Sequence, residues 1–187
     1  MRGRELKWEN LSVKERGYLF GLFEGDGYKI YDKKSRHYQI EFYLNSVKDK
    51  KIIKYVVYLL SKIGLKPNLY QDKRYNCKRI RVYSKQLFEI LKRNINLQNK
   101  TKDFNLGFVS GLIDSEGHVR KDKSYIMIIT TNKRVLEDCE RYLNKVKIDS
   151  NISKRILSIK DKCFSYRMYV SVKFKNLLHL SIKTKRL

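Results

Sequence analysis

Apolar and polar positions along the chain follow two different periods, and the changes of period mark out short elements. Residues 13–24 form a dense apolar stretch of helical length that stops at Gly25-Asp26-Gly27. Residues 28–31 and 38–44 are aromatic-rich and strand-like. Across residues 50–63, Ile53, Val56, Val57, Leu60 and Ile63 recur at helical spacing. Gly64, with Pro67 beyond it, supplies the stop for that helix. Residues 69–74 and 78–83 predict a second hairpin, and residues 86–93 a short helix. The same order then returns. Residues 104–115 predict an apolar helix ending at Glu116-Gly117, and residues 119–121 and 125–131 predict strands. Residues 132–146 predict a helix with Val135, Leu136, Cys139, Leu143 and Val146 on one face. Residues 151–159 and 164–172 predict a hairpin, and residues 175–182 a closing helix.

The pattern is therefore αββαββα, twice: an α+β fold of two pseudo-symmetric halves, residues 1–97 and 98–187, joined by a polar connector at about 94–103. The repeat extends to single residues. Gly17, Gly21, Gly25 and Gly27 return 90 positions later as Gly107, Gly111, Ser115 and Gly117, and Leu22 returns as Leu112. Small residues four apart line one stripe of a helix. Glycine inside a helix costs about 0.5–1 kcal/mol relative to alanine, so two stripes in register call for a packing reason. Close approach of two backbones is that reason. Gly17, Gly21, Gly107 and Gly111 predict two helices packed side by side, parallel, about a pseudo-twofold axis.

Charge adds a partner to this picture. Of 187 residues, 43 are Lys or Arg and 19 Asp or Glu, a formal net charge of +24. The excess is spread evenly, with 23 basic and 10 acidic side chains in residues 1–97 and 20 and 9 in residues 98–187. Both halves therefore present a positive surface suited to a polyanion. No apolar run reaches the roughly 18 residues of a membrane span, so no membrane partner is expected. The charged N-terminus predicts no signal peptide. Cys77, Cys139 and Cys163 are far apart and form no zinc pattern; they are expected to be small buried residues in a reducing compartment.

The repeat also carries chemistry. Asp26 and Glu116 occupy matched positions, 90 apart, at the C-terminal ends of the paired helices. Two carboxylates brought together there repel one another and the negative helix ends. A divalent cation such as Mg²⁺, which takes oxygen ligands and keeps water, resolves the conflict. Glu24 and Asp114 also match at this offset, but two residues earlier they point elsewhere and are read as polar groups of the helix ends or the interface.

The segments Leu19-Phe20-Gly21-Leu22-Phe23-Glu24-Gly25-Asp26-Gly27 and Val109-Ser110-Gly111-Leu112-Ile113-Asp114-Ser115-Glu116-Gly117 resemble two copies of the LAGLIDADG motif. Phe20 and Ser110 stand where the motif has a small alanine, and Phe23 where it has isoleucine. Two copies at this distance are similar to the single-chain, intron-encoded homing endonucleases. That resemblance implies a monomer whose two antiparallel sheets form a saddle in the DNA major groove. It implies double-strand cleavage at a long site, leaving short 3′ overhangs. It makes Asp26 and Glu116 the catalytic metal ligands, with Gly25 and Ser115 in the metal site, and Mg²⁺ the cofactor, Mn²⁺ a substitute. Lys85 and Lys173, at the ends of the second hairpins, are the candidate catalytic lysines. Asn45 and Thr131 close the earlier hairpins as polar candidates.

Base reading falls to strand residues, since alternation turns one sheet face to the DNA. The candidates are Asp32, Lys34, Arg36, Gln39, Glu41 and Tyr43 in the first hairpin and Arg74, Asn76, Lys78, Arg79 and Arg81 in the second. The partner is double-stranded DNA, with intron RNA as a further one, and the setting cytoplasmic and nucleoid-associated in an archaeal or organellar source. Two alternatives share the fold: an RNA maturase that assists splicing, and a DNA-binding protein without catalysis. The presence of both acids favours the nuclease. A ribosomal-type RNA binder would not explain the glycine stripes.

Overall fold

In a computed structural model, residues 5–72, 75–93, 95–119, 125–154, 164–171 and 182–183 are described. The first half runs α1 (Val13–Asp26), β1 (Gly27–Asp32), β2 (His37–Asn45), α2 (Lys50–Lys62), β3 (Asn68–Asp72), β4 (Cys77–Tyr83) and α3 (Lys85–Leu91). The second runs α4 (Lys102–Glu116), β5 (Gly117–Val119), β6 (Tyr125–Thr130), α5 (Lys133–Lys145), β7 (Ser150–Lys154) and β8 (Tyr166–Ser171). The fold is α+β, with two four-stranded antiparallel sheets ordered β1-β2-β4-β3 and β5-β6-β8-β7. The expected closing helix at 175–182 lies outside the described residues, apart from Ile182. A 3-10 turn leads into each of α1 and α4, at Trp8–Asn10 and Leu97–Asn99. Among the described residues no helix is long and apolar enough to cross a membrane.

Local chemistry sets the helix starts. Ser12 caps α1 in a capping box, its hydroxyl accepting from the Glu15 amide while the Glu15 carboxylate accepts from the Ser12 amide. Glu15 also pairs with Lys62 at 2.8 Å. Thr101 caps α4 and Ser84 caps α3. α2 ends with Gly64 at φ +83°, the left-handed geometry expected of that glycine.

Each sheet buries one face under a helix. Ile40, Phe42, Leu44, Ile80 and Val82 point inward with Ile52, Val56, Leu59 and Leu60 of α2. Ile126, Ile128, Met168 and Val170 do the same with Leu136, Cys139 and Leu143 of α5. Each such side chain contributes about 1.5–3 kcal/mol through burial.

The two halves meet along α1 and α4. A Cβ added at Gly17 would lie 2.1 Å from the Phe104 carbonyl oxygen, and one at Gly21 1.9 Å from that of Phe108. Reciprocally, a Cβ at Gly107 would lie 2.0 Å from the Lys14 oxygen and one at Gly111 2.2 Å from the Tyr18 oxygen. The contacts advance together along both helices, so the pair is parallel. The motif's departures leave the backbone contact free: the Phe20 ring packs beside it on Trp8 and Phe104, and the Ser110 hydroxyl donates to the Leu106 carbonyl within its own helix.

Gly21→Ala or Gly111→Ala must push the helices apart. Although alanine favours a helix, each substitution is expected to lower unfolding stability by about 2–3 kcal/mol through overpacking. Urea denaturation checks this; unchanged midpoints would show that the seam is not tight.

Candidate metal centre and nucleic-acid interface

α1 and α4 continue without a break to Asp26 and Glu116, and each strand begins on the next residue, Gly27 or Gly117. The parallel seam therefore delivers both carboxylates to one place. A Cβ on Gly25 would lie 2.2 Å from Ser115 Oγ and 2.8 Å from Glu116 Cγ, so the residue before Asp26 abuts the opposing acid. Burial, reinforced by the charge of Glu116, pushes the Asp26 carboxyl up to about 7. Burial also raises Glu116, while Lys183 opposes both shifts. Among the described residues no group of three or more His, Cys, Asp or Glu side chains could hold a metal. A cation here would take two carboxylates and helix-end carbonyls, with the rest of its shell from outside the protein.

Lys183 was not foreseen. Its Nζ donates to the carbonyl oxygens of Ser115 at 3.0 Å and Gly117 at 3.2 Å, on either side of Glu116. It is held by Asp114, whose carboxylate accepts from the backbone amides of Ile182 and Lys183, each at 2.8 Å. The Tyr18 hydroxyl, on the other motif helix, donates to the same carboxylate at 2.8 Å. Burial and Asp114 hold that phenol protonated as the donor. Asp114 is thus a fully buried interface residue. Glu24, its counterpart, accepts from Asn132 Nδ2 across the halves at 2.8 Å. One signal for Lys183 was available: 90 positions earlier stands Arg93, which lines a small cavity beside Glu24.

Register assigns the strand candidates to faces. On the sheet face turned away from the helices lie Tyr28, Ile30 and Asp32 of β1 and Gln39, Glu41, Tyr43 and Asn45 of β2. Cys77, Arg79, Arg81 and Tyr83 of β4 share that face. Tyr28, Tyr43, Tyr70 and Tyr83 are exposed there, whereas Phe42 faces the core. A cleft of about 660 Å³ opens among Tyr43, Tyr70, Tyr75, Cys77 and Arg79. Lys34 and Arg36 sit exposed in the β1–β2 turn, and Asn76, at φ 46°, in the β3–β4 turn. Asn45 uses its side-chain oxygen to accept from the Val47 and Lys48 amides. Thr131 is exposed just past β6. Arg74, Lys173 and Cys163 lie outside the described residues. Cys77 and Cys139 are free thiols, Cys139 buried and Cys77 only partly so.

Three expectations need correction. Glu41 is 2% exposed and cannot reach a base. Its carboxylate accepts from Arg81 Nε at 2.6 Å and from the Tyr43 hydroxyl, with Arg79 Nε 3.4 Å away. It organises its neighbours instead. Lys78 pairs with Leu44 and Gln71, which places it on the helix side of the sheet. Lys85 is the first residue of α3, its Nζ 5.7 Å over the Tyr38 ring. Gly27 faces Phe42, but Tyr83 faces Gln39, so Lys85 stands at the opposite end of the sheet from Asp26.

A family model described as a LAGLIDADG-like domain matches residues 14–96 and again 103–182. Among solved structures, I-DmoI in complex with DNA and Ca is similar at a TM-score of 0.68 and 22% identity, over 91% of this chain and 90% of that one. I-WcaI bound to its DNA recognition sequence is similar at a TM-score of 0.57 and 18% identity, over 92% and 82%. Full-length DUF199/WhiA from Thermatoga maritima is similar at 0.66 and 17%, over 96% of this chain and 61% of that one. At these identities the likeness to the solved structures is one of fold.

The Asp26 shift has a definite sign. The folded state holds the proton more tightly than the unfolded chain, so this carboxyl makes the metal-free protein lose stability as pH rises from about 4 to about 7. In chelator, Asp26→Asn is expected to melt several degrees higher than the unmodified protein at pH 8 and almost with it at pH 4. Parallel melting curves across that range would contradict the buried pair.

Proposed function

This chain belongs to the LAGLIDADG-like family, and from that premise we propose that it is a site-specific, metal-dependent endonuclease of double-stranded DNA. It hydrolyses one phosphodiester in each strand of a long site and leaves short 3′ overhangs. The observation that carries this reading is the meeting of Asp26 and Glu116 at the matched ends of two parallel helices. A pair of carboxylates about a pseudo-twofold suits a duplex, whose strands are themselves related by a twofold.

The donor set fits a hard divalent cation. It is all oxygen, it is short of protein ligands, and burial makes its carboxyls hold protons more tightly than free ones, a cost that a bound cation would offset. Asp26 and Glu116, with the main-chain oxygens of Gly25 and Ser115, would hold Mg²⁺ or Mn²⁺. Bound there, the cation supplies Lewis acidity and a water of lowered pKa. I-DmoI, similar in fold, is known in complex with DNA and Ca and with DNA and Mn.

The chain's own residues do the rest. Asp26 and Glu116, anionic when they hold a cation, would meet the reacting phosphates only through it. The Lys183 ammonium, beside Glu116, balances negative charge on that side. The two sheets lie along the groove, where Arg79, Arg81, Gln39 and Tyr43 meet the bases, and the large basic excess holds the backbone.

With a random duplex library, cutting at one long site is expected in Mg²⁺ and binding without cutting in Ca²⁺. Asp26→Asn and Glu116→Gln should each lower double-strand cleavage by roughly a thousandfold or more, with binding in Ca²⁺ retained. Binding of structured RNA in preference to any duplex, with no cutting, would replace this reading with that of a maturase.

A further inference from the structure

The two sheets are matched in geometry but not in chemistry. Gly27 pairs with Phe42, and Gly117 with Ile128, so β2 and β6 superpose with Phe42 on Ile128. Ile80 faces Phe42, and Met168 faces Ile128, which fixes β4 on β8. The open face of the second sheet then reads directly against the first. Met127 replaces Glu41 and Tyr169 replaces Arg81, so the ion pair of the first sheet becomes an apolar pair. Ile129 replaces Tyr43 and Tyr125 replaces Gln39. Arg167 keeps the place of Arg79.

Met127, Ile129, Tyr125 and Tyr169 are each only partly buried, although Ile126, Ile128, Met168 and Val170, which alternate with them, are fully buried in the core. The Tyr125 and Tyr169 rings meet edge to face at 5.0 Å and wall one side of the patch. These side chains lack the paired donors that read guanine and the donor–acceptor pair that reads adenine. The apolar group a major groove offers is the 5-methyl of thymine.

We propose that the second sheet reads its half of the target through thymine methyl groups, seated on Met127 and Ile129 beside Tyr169, whereas the first reads through hydrogen bonds. The inference rests on the duplex-endonuclease reading above. It makes the target asymmetric in kind, with thymines concentrated under one sheet.

The test uses the intact protein in Ca²⁺. Duplexes enriched from a random library are resynthesised with deoxyuridine in place of thymidine, one half at a time, which removes only the methyl. In one half, affinity is expected to fall about fourfold for each methyl lost, the scale of one buried carbon; in the other half it should hardly change. Met127→Ser and Ile129→Ser, both at partly buried sites outside the core, should abolish the thymine–uracil difference in the sensitive half and leave the other half untouched. Equal binding of thymine and uracil in both halves overturns the inference. So does a difference that persists in both variants, or an enriched site lacking thymine in both halves. Each of these leaves the endonuclease reading standing. Failure to enrich any duplex overturns the endonuclease reading, and the inference with it.

Discussion

The contact on which the molecule depends is main chain against main chain. Along α1 and α4, carbonyl oxygens of one helix occupy the space that side chains would fill on the other. The approach is possible only because Gly17, Gly21, Gly107 and Gly111 lack a Cβ, and the helical cost of those residues is offset by the dispersion and burial of a tight seam. Because the seam is parallel, it fixes more than distance. It sets the two helix ends level, and so sets Asp26 against Glu116. Both sheets begin one residue later, so their placement follows from the same contact.

Around the acids the structure balances opposing electrostatic terms. Burial drives both carboxyls toward protonation, the charge of Glu116 adds to it at Asp26, and the helix ends add partial negative charge. Lys183 opposes this at both acids, fixed through the buried Asp114. The first acid of each motif thus works at the interface: Asp114 ties α4 to Tyr18 and to the Ile182–Lys183 segment, and Glu24 ties α1 to Asn132.

What the sequence disclosed were features that depend on spacing alone. The offset of 90 exposed the repeat, the small-residue stripe exposed the seam, and together they placed Asp26 and Glu116. What stayed hidden depends on which way a side chain turns once strands are paired. Glu41 looks like a surface acid until register puts it between Arg79 and Arg81, where ion pairing makes its burial tolerable. Lys78 and Lys85 sit in basic stretches with nothing local to say which sheet face, or which end, they occupy. Lys183 is brought to Glu116 by a contact spanning almost 70 residues, and only its match to Arg93 hinted at a role.

A seam made of backbone has a consequence for engineering. Its shape hardly depends on which side chains decorate the rest of each half, so either half can change the residues on its open sheet face without disturbing its grip on the other. Such a molecule is modular: a half of this chain could be recombined with a half of another carrying the same stripe, provided that the few polar ties across the joint are kept or replaced. The difference between Glu41–Arg81 and Met127–Tyr169, at matched places on the two sheets, is what that freedom permits.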